Sequence, residues 1–459
     1  MTCLPFGLAT APCAFANVTN WLANLFRKEG IRIAVYLDDF LIMHTNPRVL
    51  QKQTAQVLNC LIRLGWCINW EKSILIPRKS LEYLGIVWNT DQNIKLLPDT
   101  KLNKVVKTIE KTLQSNWWTW KTAKIILGNL NFAAFVVPLG KLHCRTIQIE
   151  ANRLPENDIH KKFHLPVNVT QELHWWLNHS HQPSAIHHKE PTVFITTDAS
   201  DQGWGATIND MNLSGTWSNE QLSWHSNRKE LWTLKETLRQ SAAYHKSQTI
   251  LAQTDNRSVA AYITKEGGTK SRTLLQLAKE ILELAHRYQI HLVARYLPGR
   301  YNLTADSLSR FRANPEWTLS SEMVEIIFKK FGTPSIDLFA SFRSAVVDQY
   351  VSEDAKDQAC VFVNAFSRPW HYRLGWLFPP PSLIPRILHH LEKSSGTYLL
   401  VAPKWEKTFW KVELHRRALS PPFRIWKLRK HLVDIQTMKA PPAVEKLALQ
   451  VWKIRAGPI

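Results

Sequence analysis

The stretch Val193 to Ala206, VFITTDASDQGWGA, reads as an alternating apolar strand, a carboxylate at its end, a tight Asp-Gln-Gly turn and a second strand. Asp198 therefore stands where a buried central strand stops. Three more acids follow at spacings that allow them to converge on it: Glu230 in SNRKELW, Asp255 in LAQTDNRS and Asp306 in NLTADSLSR. Four carboxylates at element ends repel one another unless divalent cations sit among them. Such a site suits a two-metal phosphodiester hydrolase, with ions roughly 3.5–4 Å apart clamping the attacking and leaving oxygens. Each acid also has an ordinary alternative. Glu230 reads as the third residue of a capping box opened by Asn227, Asp255 as a cap for the helix that starts near Asn256, and Asp306 as a first-turn acid.

Around this stretch, residues 190–312 read as strand, strand, strand, helix, strand, helix, helix, strand, helix. Thr192–Thr197, Trp204–Ile208 and Leu213–Ser218 form a meander, Asn227 to Tyr244 is helical, and Thr249–Thr254 is a short apolar strand. Leu274, Leu275, Ala278, Ile281, Leu282 and Ala285 recur at helical spacing, and His291–Leu297 closes the sheet.

At 459 residues the chain exceeds one core, and a prior of about 150 residues per domain gives roughly three. A hydrophobic content of 45% with 20 tryptophans excludes a largely disordered protein. The balance of 58 Lys+Arg against 37 Asp+Glu, a formal charge of +21, points to a polyanionic partner such as nucleic acid. Cys3, Cys13, Cys60, Cys67, Cys144 and Cys360 are scattered without zinc-type pairs, which implies reduced thiols in an intracellular protein, nuclear or cytoplasmic. Ile125 to Leu142 is broken by Gly128, Asn129, Asn131 and Pro138, so no membrane partner is expected.

Upstream, Pro5, Gly7 and Pro12 punctuate a loop, and Ala14 to Lys28 runs with helical periodicity. IRIAVYLDDFLIMH then reads as a hairpin with Asp38 and Asp39 at its tip, its apolar strands expected to be buried. Leu50 to Leu64 forms an amphipathic helix, GWCINWEKSILIP a strand and SLEYLGIVWN the start of a hairpin. Residues 100–185 are helical and basic, with WWTW at 117–120 and HWW at 174–176 read as core more than stacking platforms. His174, His179, His181, His187 and His188 lack a helical pair backed by a carboxylate and read as a solvated linker.

Two sets of motifs carry a resemblance. LPFGLATAP, YLDD, GWCINWEKS and EYLG, followed by GNLNFAAFVVPLGKL, occur in the order of the later palm motifs of reverse transcriptases and resemble the DIRS group of tyrosine-recombinase retrotransposons. TTDAS, KELW, TDN and LPGRYNLTADSLSR resemble the ribonuclease H domain of retroelement polyproteins. The resemblance implies that Asp38 is the metal-binding aspartate of the YxDD box and Asp39 its neighbour. It likewise implies that Leu4 to Pro12 lies under template and nucleotide, and that Tyr83 to Gly85 is the primer grip. By the same resemblance Asp198, Glu230, Asp255 and Asp306 bind two magnesium ions and cleave the RNA strand of an RNA–DNA hybrid. The implied partners are that hybrid, an RNA template, DNA and other retroelement proteins. In this family a histidine often stands about ten residues before the last aspartate; here the position holds Tyr296, which bears on proton relay or product release. The family's first palm aspartate and the fingers have no counterpart, so the chain is expected to be a fragment that makes no DNA by itself.

After Arg312, Pro315 to Gly332 begins with a helix, SIDLFAS is a strand ending in Asp337, and CVFVNAF, LGWLFPPPS and TYLLVAPKW follow, with Leu383–Lys393 helical. This alternation suggests a small parallel α/β sheet. The segment resembles phage-type adenine-N6 methyltransferases, but Phe378 and Pro381 stand where the family needs a polar and an aromatic residue, so no methyl transfer is expected. From Lys404 onward basic residues outnumber acidic by about 13 to 4, interleaved with Trp405, Trp410 and Trp426, which fits either backbone-tracking contacts or a solvated tail.

The expected architecture is an α/β and α+β multidomain chain: a partial ferredoxin-like reverse-transcriptase palm (1–98), helical thumb, connection and linker (99–189), a ribonuclease H fold (190–312), a methyltransferase-like α/β domain (313–435) and a tail (436–459). The expected activity is ribonuclease H cleavage; the alternative is a non-catalytic nucleic-acid-binding remnant.

Overall fold

Helix α1, Ala11–Lys28, opens with Pro12 in its first turn, where the missing N–H costs nothing. Strands β1, Arg32–Tyr36, and β2, Asp39–Met43, pair antiparallel with Tyr36 opposite Asp39, and α2, Pro47–Arg63, follows. These coordinates are a computed structural model that describes residues 7–312, 316–435, 437–441 and 443–458. Cys3, Pro315 and the first part of the Leu4 to Pro12 loop lie outside the described residues. The chain packs as two units, one made of 1–115, 132–138 and 176–187, the other of 116–131, 139–175 and 188–459.

In the first unit Leu22, Phe26, Ile31, Ile33, Val57 and Leu61 form a small core. The β1–β2 hairpin is less buried than its apolar sequence suggests. Only Ile33 is fully covered, because the sheet has two strands and α1 and α2 shield one face of it. GWCINWEKSILIP is not a strand. Gly65 adopts a left-handed φ of 81°, the Asn69 side chain accepts from the Lys72 N–H to make a turn, and Trp70, Ile74 and Ile76 are exposed. Strands β3, Ser80–Tyr83, and β4, Ile86–Asn89, form the expected hairpin; Leu84 and Gly85, at φ 54° and 70°, make its two-residue turn. Strand β5, Ile94–Leu96, extends that sheet, and helix α3, Asp99–Ser115, belongs to this unit. The histidine-rich linker is partly built in. Ser184–Ala185 pairs with β5, and Asn93 exchanges side-chain hydrogen bonds with the His187 backbone.

The second unit is built on two larger sheets. In the first, β6, Val193–Ala199, β7, Gly203–Ile208, and β8, Met211–Thr216, form the antiparallel meander. Helix α4, Ser226–Ser241, follows, then β9, Thr249–Thr254, helices α5, Arg257–Thr264, and α6, Arg272–Arg287, strand β10, His291–Tyr296, and helix α7, Leu303–Ser309. The order across the sheet is β8-β7-β6-β9-β10, with β6, β9 and β10 parallel. Strands β6 and β9 are buried almost throughout, and Leu231, Leu234 and Leu238 of α4 pack with Ala278 and Ile281 of α6 over Ile195 and Ile250. Trp118 is a core residue of this unit, and Trp176 one of the first unit.

Beyond it, Trp317–Leu319 is a strand where a helix was expected, and helix α8, Ser321–Phe331, follows it. The second sheet contains β11, Ile336–Asp337, β12, Val351–Ser352, β13, Phe362–Val363, and β14, His371–Leu377. After helix α9, Ile384–Leu391, come β15, Ser395–Pro403, β16, Phe423–Arg424, and β17, Leu449–Arg455. The β12–β13 pair joins β11 through a parallel bridge between Asp337 and Tyr350. The sheet is therefore mixed and not parallel throughout: β17 runs antiparallel between β15 and β16. Residues 436–459 are thus no tail, since Leu449, Val451, Trp452 and Ile454 are buried. Their alternation outweighs the lysines and arginines between them. Trp405 and Trp410 pack in this core as well. Nor does packing break at residue 312. Leu297 and Tyr301 share one core with Met323, Trp376 and Val451, and Gln253 donates to the Ser382 carbonyl at 2.8 Å. Among the described residues no helix is long and apolar enough to cross a membrane.

Candidate active site

Asp198 lies near the end of β6, opposite Gly205 on β7. A Cβ on Gly205 would come within 2.5 Å of the Ala305 carbonyl oxygen and the Ser309 nitrogen. Only a glycine lets α7 lie this close to the sheet, and that approach brings the Ser309 hydroxyl to donate to Asp198 Oδ2 at 2.6 Å. Gly205→Ala is expected to lower stability by about 1–3 kcal/mol through overpacking. A thermal melt checks this, and an unchanged Tm would mean that α7 is free to shift.

Glu230 lies in the second turn of α4. His225 caps this helix by accepting from the Asn227 N–H, so Glu230 has no capping task. Asp255 follows β9, and Asn256, not Asp255, caps α5 by accepting from the Ser258 and Val259 N–H groups. Gly299 allows the loop after β10 to approach, since a Cβ there would meet Asp255 Oδ2 at 2.6 Å. Carboxylate oxygens of Asp198, Glu230 and Asp255 lie within 4.8 Å of one another, the one such acid group among the described residues. Asp306 is not among them. It is half exposed in α7, with Oδ1 accepting from Arg310 Nε at 2.8 Å.

The electrostatics follow from this crowding. Burial pushes Asp198 up to about 6, against the Ser309 hydrogen bond and with the Asp255 and Asp306 charges adding to it. Burial pushes Glu230 up to about 9, reinforced by Asp198 and Asp255. Asp255 is raised as well, by burial and by Asp306. Glu230 Oε2 is buried without a hydrogen-bond partner, an arrangement that costs free energy unless a cation completes it. An all-oxygen donor set of this kind fits a hard divalent cation.

Ser309 and Arg310 were not read from the sequence; standing three and four residues after Asp306, they share its face of α7, the one local signal that could have pointed to them. Gly205 and Gly299 left no such signal. Tyr296, 39% exposed at the end of β10, carries the Arg257 guanidinium over its ring at 4.8 Å. Asp38 and Asp39 stand exposed at the β1–β2 turn, where Leu37 takes a φ of 53°, and no third acid groups with them among the described residues. Burial raises the Tyr83 phenol, and the Asp39 charge adds to the shift. The histidines of the linker join no metal-binding group among the described residues.

Residues 1–88 match the family model of reverse transcriptase (RNA-dependent DNA polymerase). Protein P of duck hepatitis B virus (strain United States/DHBV-16) is 28% identical over 138 residues, which is 30% of this chain and 16% of that protein. The enzymatic polyprotein of cauliflower mosaic virus (strain D/H) is 24% identical over 326 residues, 67% of this chain and 45% of that protein. Among solved structures, RNase H1 from the halophilic archaeon Halobacterium salinarum NRC-1 is 19% identical with a TM-score of 0.22, covering 25% of this chain and 92% of that one. The chain spans less than half the length of these two viral relatives. It is similar to these viral proteins, with its reverse-transcriptase match in residues 1–88.

Proposed function

We propose that residues 190–312 cleave the RNA strand of RNA–DNA hybrids with magnesium, held by Asp198, Glu230, Asp255 and Asp306. The observation that carries this reading is the approach of three buried or half-buried carboxylates within 4.8 Å, one with an unpartnered oxygen. None of the three caps a helix, and their mutual repulsion destabilises the fold unless a cation balances it. Magnesium bound there supplies Lewis-acid stabilisation and an activated water. The chain's own groups orient the site: Ser309 fixes Asp198, Gly299 leaves room for Asp255, and Arg310 holds Asp306 at the solvent side. In the same reading Asp38 is the metal-binding acid of the reverse-transcriptase region and Asp39 its neighbour. RNA template, DNA and other retroelement proteins are the further partners of a chain from a DIRS-group element. The C-terminal region is read as methyltransferase-like without methyl transfer, supported by its strand order and by Phe378 and Pro381 in place of a polar and an aromatic group. The test is cleavage of a labelled hybrid by the purified chain with magnesium, beside Asp198→Asn. A folded protein that binds the hybrid and leaves it intact would be the binding remnant instead.

The raised carboxylates give a second expectation. Without a cation, the folded site keeps protons on Asp198 and Glu230 that the unfolded chain releases near pH 4, so its contribution to stability falls as pH rises from about 4 toward 9. A divalent cation replaces those protons. The gain in Tm from about 10 mM magnesium is therefore expected to be larger at about pH 8.5 than at about pH 5.5. Equal gains at both would place magnesium binding elsewhere.

A further inference from the structure

Strand β10 is an edge of the first sheet, and its last two residues, Arg295 and Tyr296, are exposed. Neighbouring side chains on a strand point to opposite faces, so the two flank this edge from both sides. Each is one half of a cation–aromatic pair. The Arg257 guanidinium, at the start of α5, lies over the Tyr296 ring, and the Arg295 guanidinium lies 5.8 Å from the ring centre of Phe409. Phe409 belongs to the segment that follows β15, KWEKTFWK at 404–411. Trp405 and Trp410 of that segment pack into the core of the second sheet and leave Phe409 outside, 42% exposed.

Both pairs stand at the rim of the acid site. Tyr296 is in register with Thr254, the residue before Asp255, and Arg257 comes two residues after that aspartate. Among the described residues neither Arg257 nor Arg295 pairs with a carboxylate, unlike Arg310, which Asp306 holds. Lys404 and Lys407 are exposed on the Phe409 segment, against the one acid Glu406. A single exposed ring is ordinary on a protein surface. Two rings beside one site, each with a guanidinium over it, are the parts that an unpaired nucleic-acid strand uses. Its bases stack on flat rings and guanidinium planes, and its phosphates meet the charge. A duplex gains less from such a surface, because its bases already stack on one another.

We propose that the RNA strand lying on the carboxylates continues, beyond the end of the hybrid, as a single strand stacked over Tyr296 with Arg257 and Phe409 with Arg295. The choice of RNA over DNA rests on the ribonuclease reading; the stacking track itself rests on the two pairs. Anisotropy titrations of the full chain without divalent cation, so that nothing is cleaved, test it. The probes are a blunt hybrid and hybrids extended at either end by about six unpaired nucleotides of RNA or of DNA. An RNA extension at one end is expected to tighten binding at least about fivefold over the blunt hybrid. Phe409→Ala is expected to remove most of that gain with blunt-hybrid affinity and Tm unchanged, and Phe409→Trp to keep it. Arg295→Gln is expected to lower the gain and flatten its dependence on salt. No gain from either RNA extension, a gain confined to DNA extensions, or a gain that Phe409→Ala leaves whole would each overturn the track. Cleavage of the blunt hybrid with magnesium is read separately. A chain that cleaves without an extension gain loses only the track, and one that shows the gain without cleaving loses only the ribonuclease reading.

Discussion

Asp198→Asn is expected to lower hybrid cleavage by at least about a hundredfold, on the order of 3 kcal/mol in transition-state stabilisation, with hybrid binding retained. Asn keeps the shape of the side chain and an oxygen able to accept from Ser309, so α7 stays in place. What is lost is one charge at the centre of the group formed with Glu230 and Asp255. The same loss relieves repulsion, since the Asp198 charge helps to raise Glu230. The variant is therefore expected to melt no lower than the wild type in the absence of magnesium, and to gain less Tm when magnesium is added. A merely structural aspartate would give the opposite pattern, a lower Tm and weaker binding together. Cleavage retained by the variant would remove Asp198 from the site.

This site was legible to the extent that its parts are local. TTDAS and TDN sit at strand ends, KELW lies in the first turns of α4 and TADSLSR makes up most of α7, and period-two and helical patterning placed those elements within a few residues of their observed bounds. The local alternatives for Glu230 and Asp255 fail because neighbours, His225 and Asn256, already do the capping. Asp306 shows the limit. Its position in α7 was readable, yet its pairing with Arg310, which holds it outside the group of three, depends on side-chain competition that spacing does not resolve. The closeness of α7 to β7 through Gly205 is tertiary information and left no pattern in the chain. The β1–β2 hairpin formed as expected but its burial fell short for a related reason: apolar strands report a capacity for burial, and the two-stranded sheet leaves part of it unused.

The largest stability effect is expected at the other end of the chain. Stopping after Ile435 removes β17, whose Leu449, Val451, Trp452 and Ile454 are each less than a tenth exposed. At about 1.5–3 kcal/mol per buried apolar side chain, the loss is roughly 6–12 kcal/mol, comparable to the whole stability of a domain. It also leaves β15 with an unpaired edge from Thr397 to Pro403 and β16 with no partner strand. The shortened chain is expected to lose its cooperative melting transition in the C-terminal region and to aggregate. The damage should reach the carboxylates too, because Leu297 and Tyr301 lie in the same core as Val451 and flank Gly299, which packs against Asp255. Hybrid cleavage should therefore fall although every acid is still present. A shortened chain with the Tm and cleavage rate of the full one would show that β17 is dispensable and that the two sheets fold independently. Loss of both together would make the C-terminal strands part of what holds the ribonuclease-like site in shape, through packing that the basic composition of residues 436–459 conceals.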